Sequence, residues 1–151
     1  MIIMDLEGIF GLFGFSEENN KKKLKELEAL KDTPRFKLGM FHKLVMNSLI
    51  FKKQTLKFFS KSSPKLDLDD IDTAGEFMVY TRAYYWIQDF KIRSKEWKLA
   101  LKEYYSDEEF LCSLKLTINY FESTEEYEKC AFLKKIQDLV IKNINTNKNE
   151  I

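Results

Sequence analysis

Several residue types are scarce in this chain, and each shortage argues against a class of protein. Of its 151 residues, two are Cys, five are Gly and two are Pro. Two cysteines are too few for a small secreted scaffold held by disulfides, and the N-terminus lacks the basic start and cleavage site of a secretory signal. These features predict a reduced, cytoplasmic setting. The shortage of glycine and proline argues against a β-sandwich or β-barrel, which needs many turns.

Long apolar runs are also missing, and arginine is rare. No run approaches the roughly 18 apolar residues that indicate a membrane span, so we predict none. The chain contains 22 Lys and 3 Arg. Because recognition of specific phosphates and carboxylates favours the planar guanidinium, this ratio argues against dense arginine-based recognition.

Short catalytic and metal-binding motifs are absent as well. The chain has no P-loop, no Gly-x-Ser-x-Gly and no HExxH,. His42 has no Cys or His at metal-ligand spacing, and Cys112 and Cys130 alone do not make a zinc site. A catalytic pairing of His42 with either cysteine stays open, without support from any feature of the sequence. The acidic run Asp67–Asp72 departs from the calcium-loop pattern, which needs a glycine and a terminal glutamate. We therefore predict a protein that is not an enzyme, with no catalytic residues, no metal and no cofactor.

Helical periodicity dominates what is present. Apolar residues recur at intervals of three and four over 36–49, 71–90 and 110–144,. Ser106 and Ser123 each begin a capping-box pattern, which predicts two further helix starts. Two amphipathic helices joined by a break of two or three residues form an antiparallel hairpin.

These patterns predict an all-α fold, a compact bundle of about five or six helices that ends in a C-terminal antiparallel hairpin. The bundle is predicted as a single domain over residues 1–144, with a frayed tail over 145–151. Residues 1–15 form an apolar, glycine-punctuated segment that we expect to dock on this domain. The helix from about 16 to 31 has a thin leucine stripe and is expected to pack along one edge.

The strongest core candidate is a helix from Asp69 to about Ile92. Ala74 and Gly75 are small, so this helix is expected to let another helix approach closely. Its predicted core residues are Ile71, Ala74, Gly75, Met78, Val79, Ala83, Trp86, Ile87 and Phe90.

Charge is strongly segregated along the chain. Residues 33–66 carry eight cations and no Asp or Glu, whereas the segments before and after carry net charges of −2 and −5. Phosphates or an acidic partner would contact the following lysines of this basic segment: Lys43, Lys52, Lys53, Lys57, Lys61 and Lys65,. Two other interpretations stay open. The lysines solvate an outer face, or they pair with acidic runs such as 67–72 and 107–109 of the same chain or of a second copy.

The end of the chain resembles a known interaction module. Phe121-Glu122-Ser123-Thr124-Glu125-Glu126-Tyr127-Glu128-Lys129-Cys130-Ala131, followed by Leu133-Lys134-Lys135-Ile136, looks like the second half of the UVR motif. That motif is a short helical hairpin of nucleotide-excision repair proteins and of some protease adaptors, where it mediates protein–protein contact. The resemblance covers about residues 113–141. It implies a hairpin that binds another protein, and it does not imply repair activity.

Together these features predict a small accessory or regulatory protein that acts by binding a larger partner, most simply a protein or protein complex. Phe10, Phe13, Phe15 and Tyr127 are the candidate contacts with that partner, because exposed aromatic side chains anchor interfaces. The alternative is a sequence-nonspecific nucleic-acid-binding protein that uses the basic segment. Small size and high charge are also typical of phage-encoded factors. Whether the chain forms homo-oligomers is left open.

Overall fold

The structure is a computed structural model that describes residues 17–62 and 68–149. Over these ranges the chain is helical apart from its connections, which confirms the all-α prediction, and no strand occurs in them. None of the helices described combines the length and apolar composition needed to cross a bilayer. The described helices are α1 (Glu17–Lys31), α2 (Pro34–Ser62), α3 (Leu68–Ile87), α4 (Lys95–Tyr104), α5 (Glu108–Ser123) and α6 (Tyr127–Asn149).

The core is built from two antiparallel helix pairs. Lys37 near the start of α2 lies 2.8 Å from Asp89 just beyond the end of α3, and Lys52 lies 3.1 Å from Asp72 near its start. These contacts set α2 and α3 antiparallel. The second pair is the predicted hairpin of α5 and α6, in which the Cys130 thiol donates to the Ile118 carbonyl.

Aromatic side chains join the two pairs. Phe41 on α2 meets Phe110 on α5 edge to face, with ring centroids 5.7 Å apart. Tyr84 on α3 meets Phe121 on α5 in the same geometry at 5.5 Å. Edge-to-face pairs add to the free energy gained by burying the rings, so these contacts fix how the pairs are stacked.

The helix starts differ in detail from the capping boxes that the sequence predicts. Asp107, not Ser106, caps α5, since its carboxylate accepts the Phe110 backbone N–H at 2.7 Å. Ser106 instead donates to the Leu101 carbonyl and accepts from the Asn143 side chain. An Asp side chain fills the N-cap role as well as Ser, so the pattern located the start but not the capping residue.

The second capping-box prediction is wrong. Ser123 is the last residue of α5, and its hydroxyl donates to the Tyr120 carbonyl. The turn that follows reverses the chain at Glu125, whose φ of 62° lies in the left-handed region. Thr124 and Glu126 bond to each other across the turn at 3.0 Å. The Ser-Thr-Glu-Glu run therefore forms the turn after α5, and the predicted helix start lies directly beyond it, where α6 begins at Tyr127.

Several boundaries also differ from the prediction. The third helix ends at Ile87 rather than near Ile92, although Phe90 beyond it is still buried. The last helix continues to Asn149, beyond the predicted boundary at 144. On α1 the leucine stripe of Leu24, Leu27 and Leu30 is more than half exposed, so the expected packed edge is not formed with the described residues.

The two glycines in the described helices, Gly39 and Gly75, are expected to respond in opposite ways to substitution by alanine. A Cβ on Gly39 would lie 2.6 Å from the Tyr105 hydroxyl, whereas a Cβ on Gly75 would meet nothing within 4 Å. Alanine is better than glycine in a helix by about 1 kcal/mol. We expect Gly75→Ala to stabilise the fold by roughly 0.5–1 kcal/mol. Gly39→Ala should give no gain, because it displaces the hydroxyl that donates to the Arg35 carbonyl at 3.1 Å.

Tyr105→Phe provides the control for this comparison. It removes the hydroxyl, and the next ring atom would lie 3.6 Å from the methyl group of an alanine at position 39, which is ordinary contact. In the Tyr105→Phe background, Gly39→Ala should recover the helix-propensity gain. Urea unfolding of the four variants in a double-mutant cycle measures this coupling, and a coupling near zero would contradict the close approach.

Candidate docking surface at the open end of α2 and α3

The pair of α2 and α3 extends beyond the core. Among the side chains whose burial the structure describes, Val45 is the last fully buried apolar residue on α2, and Tyr80 is the first buried one on α3. Beyond them lie residues 48–62 of α2 and 68–79 of α3, which we call the open end. The large apolar side chains that are 41–71% exposed there are Leu49, Ile50, Phe51, Phe58, Phe77 and Met78.

The exposure of the open end shows that part of the predicted core of α3 is wrong. Ala74 and Gly75 are exposed, and Met78 is 71% exposed. A Cβ on Gly75 would meet nothing within 4 Å, so this glycine does not provide a close helix approach. The reason lies in the angle around the helix: Met78 and Ala83 are about 140° apart at about 100° per residue. Ala83 faces the core, and Met78 faces away from it.

A groove runs between the two helices at this end. Its volume is about 270 Å³, and its walls are mainly apolar. Leu49 and Leu56 on α2 face Ile71 and Val79 on α3 across it, and Gly75 leaves one side open. Apolar grooves with a few polar groups at the rim are typical binding sites for side chains or ligands.

Lys52 forms the polar part of the groove. Its ammonium lies 3.1 Å from Asp72 and 3.2 Å from Glu76, so one cation joins α2 to two carboxylates of α3. The hydrogen bond to Asp72 is the main cause that raises the pKa of Lys52, and desolvation opposes it. A raised pKa means that this ion pair stabilises the fold below the unfolded pKa and is lost as pH rises through the folded value. The contribution is under about 1 kcal/mol, since the Lys52 side chain is 41% exposed and water screens the ion pair,.

The structure separates the lysines that the sequence grouped together. Lys52 pairs with the acidic start of α3, which supports the internal-pairing interpretation for this one residue. Lys53 and Lys61 are exposed on α2, together with Lys43 and Lys57. By helical angle these four share one face of α2, and Lys52 lies on the opposite face. Lys65 lies outside the described residues.

The predicted protein contacts do not converge on the groove. Phe10, Phe13 and Phe15 belong to the segment 1–15, which lies outside the described residues. Tyr127 is 63% exposed at the start of α6, and it does not line the groove. The groove itself was missed by sequence reasoning, because its residues appeared as ordinary core positions.

A second pair of polar residues was also missed. His42 Nδ1 and Ser113 Oγ lie 2.7 Å apart and join α2 to α5. A histidine beside a hydroxyl is the geometry of an activated nucleophile. Here Ser113 is fully buried and its hydroxyl also donates to the Glu109 carbonyl, so the contact is a polar link between helices with no access for a substrate.

The two cysteines differ in their exposure. Cys130 is buried, and burial raises the pKa of its thiol, which makes it a poor nucleophile,. Cys112 is exposed, and both thiols are free. His42 bonds to Ser113 rather than to either cysteine. Within the described ranges, no three His, Cys, Asp or Glu side chains are grouped to hold a metal.

No family model, curated protein or solved structure matches the chain.

Proposed function

We propose that this protein is a non-catalytic accessory or regulatory protein that binds a larger protein through the open end of α2 and α3. The supporting observation is the exposed apolar surface around the groove, with Phe51 and Met78 as its most exposed large side chains. Exposed apolar patches rimmed by polar residues are typical of interaction sites. The small size and high charge of the protein also suit a phage-encoded factor.

The chemistry of the groove limits the kind of partner. Phe and Met are enriched at protein interfaces, and both side chains stand at the edge of the groove. Lys52 is the one cation that lines the groove, and it is paired with two carboxylates, so the three groups carry a formal charge of −1 that does not attract an acidic partner. An apolar segment with aliphatic or aromatic anchors fits this surface, for example one face of an amphipathic helix.

A pull-down with matched variants tests the proposal. Phe51→Ser with Met78→Ser removes two anchors from the open end. Leu24→Ser with Leu27→Ser is the control, because these leucines are similarly exposed on α1. Tagged proteins are incubated with nuclease-treated host extract, and the captured partner is then purified and titrated. We expect the first variant to weaken binding at least about tenfold, as is usual when interface anchors are truncated.

The control variant on α1 shows whether a loss of partner binding is specific to the open end. If both variants lose the partner equally, general stickiness of apolar residues explains the capture, and the open end is not the site. If neither variant loses it, the partner binds elsewhere on the protein. Loss in the first variant alone supports the proposed site.

The second candidate function is sequence-nonspecific binding of nucleic acid by the basic segment. The observation that favours it is the exposed face of α2 that carries Lys43, Lys53, Lys57 and Lys61. No Asp or Glu lies on α2, so its own side chains do not neutralise this face. Lysines at this spacing contact phosphates without reading bases.

A further inference from the structure

A second groove, between α4 and α6, collects lysines from distant parts of the sequence. Its volume is about 350 Å³. Lys95, Lys98 and Lys102 line it from α4, and Lys142 lines it from α6. All four side chains are exposed, and no Asp or Glu lines the groove. We call these four residues and the space between them the lysine groove.

The lysines of this groove differ from others in the molecule. Lys37, Lys52 and Lys134 each lie within 3.2 Å of a carboxylate. None of the lysine-groove residues has such an ion pair with a described residue. Four like charges around one concave surface repel each other, and a bound polyanion relieves that repulsion. The nearby acids of α4, Glu96 and Glu103, do not line the groove.

The spacing fits a phosphate backbone. Lys95 and Lys102 are seven residues apart, which is about 10 Å along a helix,. Along the axis of a B-form duplex the phosphates of one strand rise by about 3.4 Å each, so a row of this length laid parallel to the axis spans about three phosphates. Lys142 adds a fourth cation from the opposite wall. Leu99, Leu101 and Leu139 supply the apolar part of the lining.

The residue types that do not line the groove restrict the class of ligand further. No arginine lines the groove, and arginine is the residue that most often reads guanine,. No aromatic residue lines it either, and aromatic stacking is the usual way to hold a single strand,. We propose that the lysine groove binds the phosphate backbone of duplex nucleic acid without regard to sequence. This site is separate from the open end and does not depend on the proposed protein partner.

Fluorescence anisotropy with a labelled 20-bp DNA duplex tests this proposal on the full chain. Lys98→Glu with Lys102→Glu reverses two charges in the groove. Lys53→Glu with Lys61→Glu makes the same charge change on the exposed face of α2. For the wild type we expect a log–log salt slope of about −3 to −4, from about 0.9 per phosphate contacted. The groove variant should bind at least about tenfold more weakly and lose about two units of slope.

The remaining outcomes each contradict the proposal. It is overturned if the wild type does not bind the duplex in about 50 mM salt, or if the groove variant binds as the wild type does. It is also overturned if only the α2 variant loses binding, because the basic segment is then the site. Tighter binding of labelled polyglutamate than of duplex, lost in the groove variant, would make an acidic protein the ligand. An unchanged melting temperature of each variant confirms that it is folded.

Discussion

Phe41→Ala is expected to lower the free energy of unfolding by about 3–5 kcal/mol. Phe41 has no exposed surface, and its ring meets Phe110 of α5. Truncation leaves a cavity where α2 joins the C-terminal hairpin. Phe51→Ala, ten residues later on the same helix, should change the free energy by less than about 0.5 kcal/mol,. Phe51 is 68% exposed at the open end, so alanine removes little buried surface.

Urea unfolding followed by circular dichroism measures both values, with similar m-values expected for the two variants. The comparison also tests the docking surface. If Phe51→Ala costs as much as Phe41→Ala, another part of the chain covers the open end in solution. The surface is then not available to a partner, and the proposed function fails at its first premise.

The helices themselves could be predicted from the sequence. Pro34 begins α2, as expected for a residue that has no backbone N–H and a helical φ,. Asp69 and Asp70 lie in the first turn of α3, where carboxylates favour the helix dipole,. The hairpin of α5 and α6 follows from two apolar stripes and a short break. Local propensity and periodicity determine these features, and both are visible along a single chain.

Which stretch of an apolar face is covered could not be predicted, because coverage depends on the lengths of neighbouring helices. On α3 the apolar residues occupy more than one side, and within residues 69–87 only Tyr80, Ala83 and Ile87 are buried in the core. The ion pairs could not be predicted from the sequence either. Lys52 and Lys53 are adjacent in sequence, yet the first lies between two carboxylates and the second is exposed.

The lysine groove shows the same limit for a candidate site. Its residues on α4 lie in a mixed run that also contains Glu96 and Glu103, so the net charge of this helix is small. Lys142 follows forty residues after Lys102. Only tertiary packing of α4 beside α6 brings them to one surface. The sequence instead predicts a binding site in the acid-free segment 33–66, because the charges of that segment are contiguous along the chain.

The fragment 106–149, which contains α5 and α6, is expected to lose cooperative folding when isolated. Three of its aromatic residues pack on helices that the fragment lacks. Phe110 meets Phe41 of α2, Tyr120 stacks on Tyr80 of α3 at 4.5 Å, and Phe121 meets Tyr84. A chain of this length is near the limit of about 40 residues below which a core seldom suffices alone. Circular dichroism should therefore show reduced helicity and no cooperative thermal transition, whereas the full chain melts cooperatively.

This prediction separates a structural hairpin from an autonomous interaction module. The resemblance to the UVR motif predicts a hairpin that presents its surface to another protein, and only an autonomous hairpin of this kind would fold without α2 and α3. In this chain the faces of α5 that carry Phe110 and Phe121 are already buried by the rest of the bundle. A fragment that melts cooperatively near the temperature of the full chain would contradict that dependence. Tyr127, exposed at the start of α6, would then become the first partner contact to test by substitution.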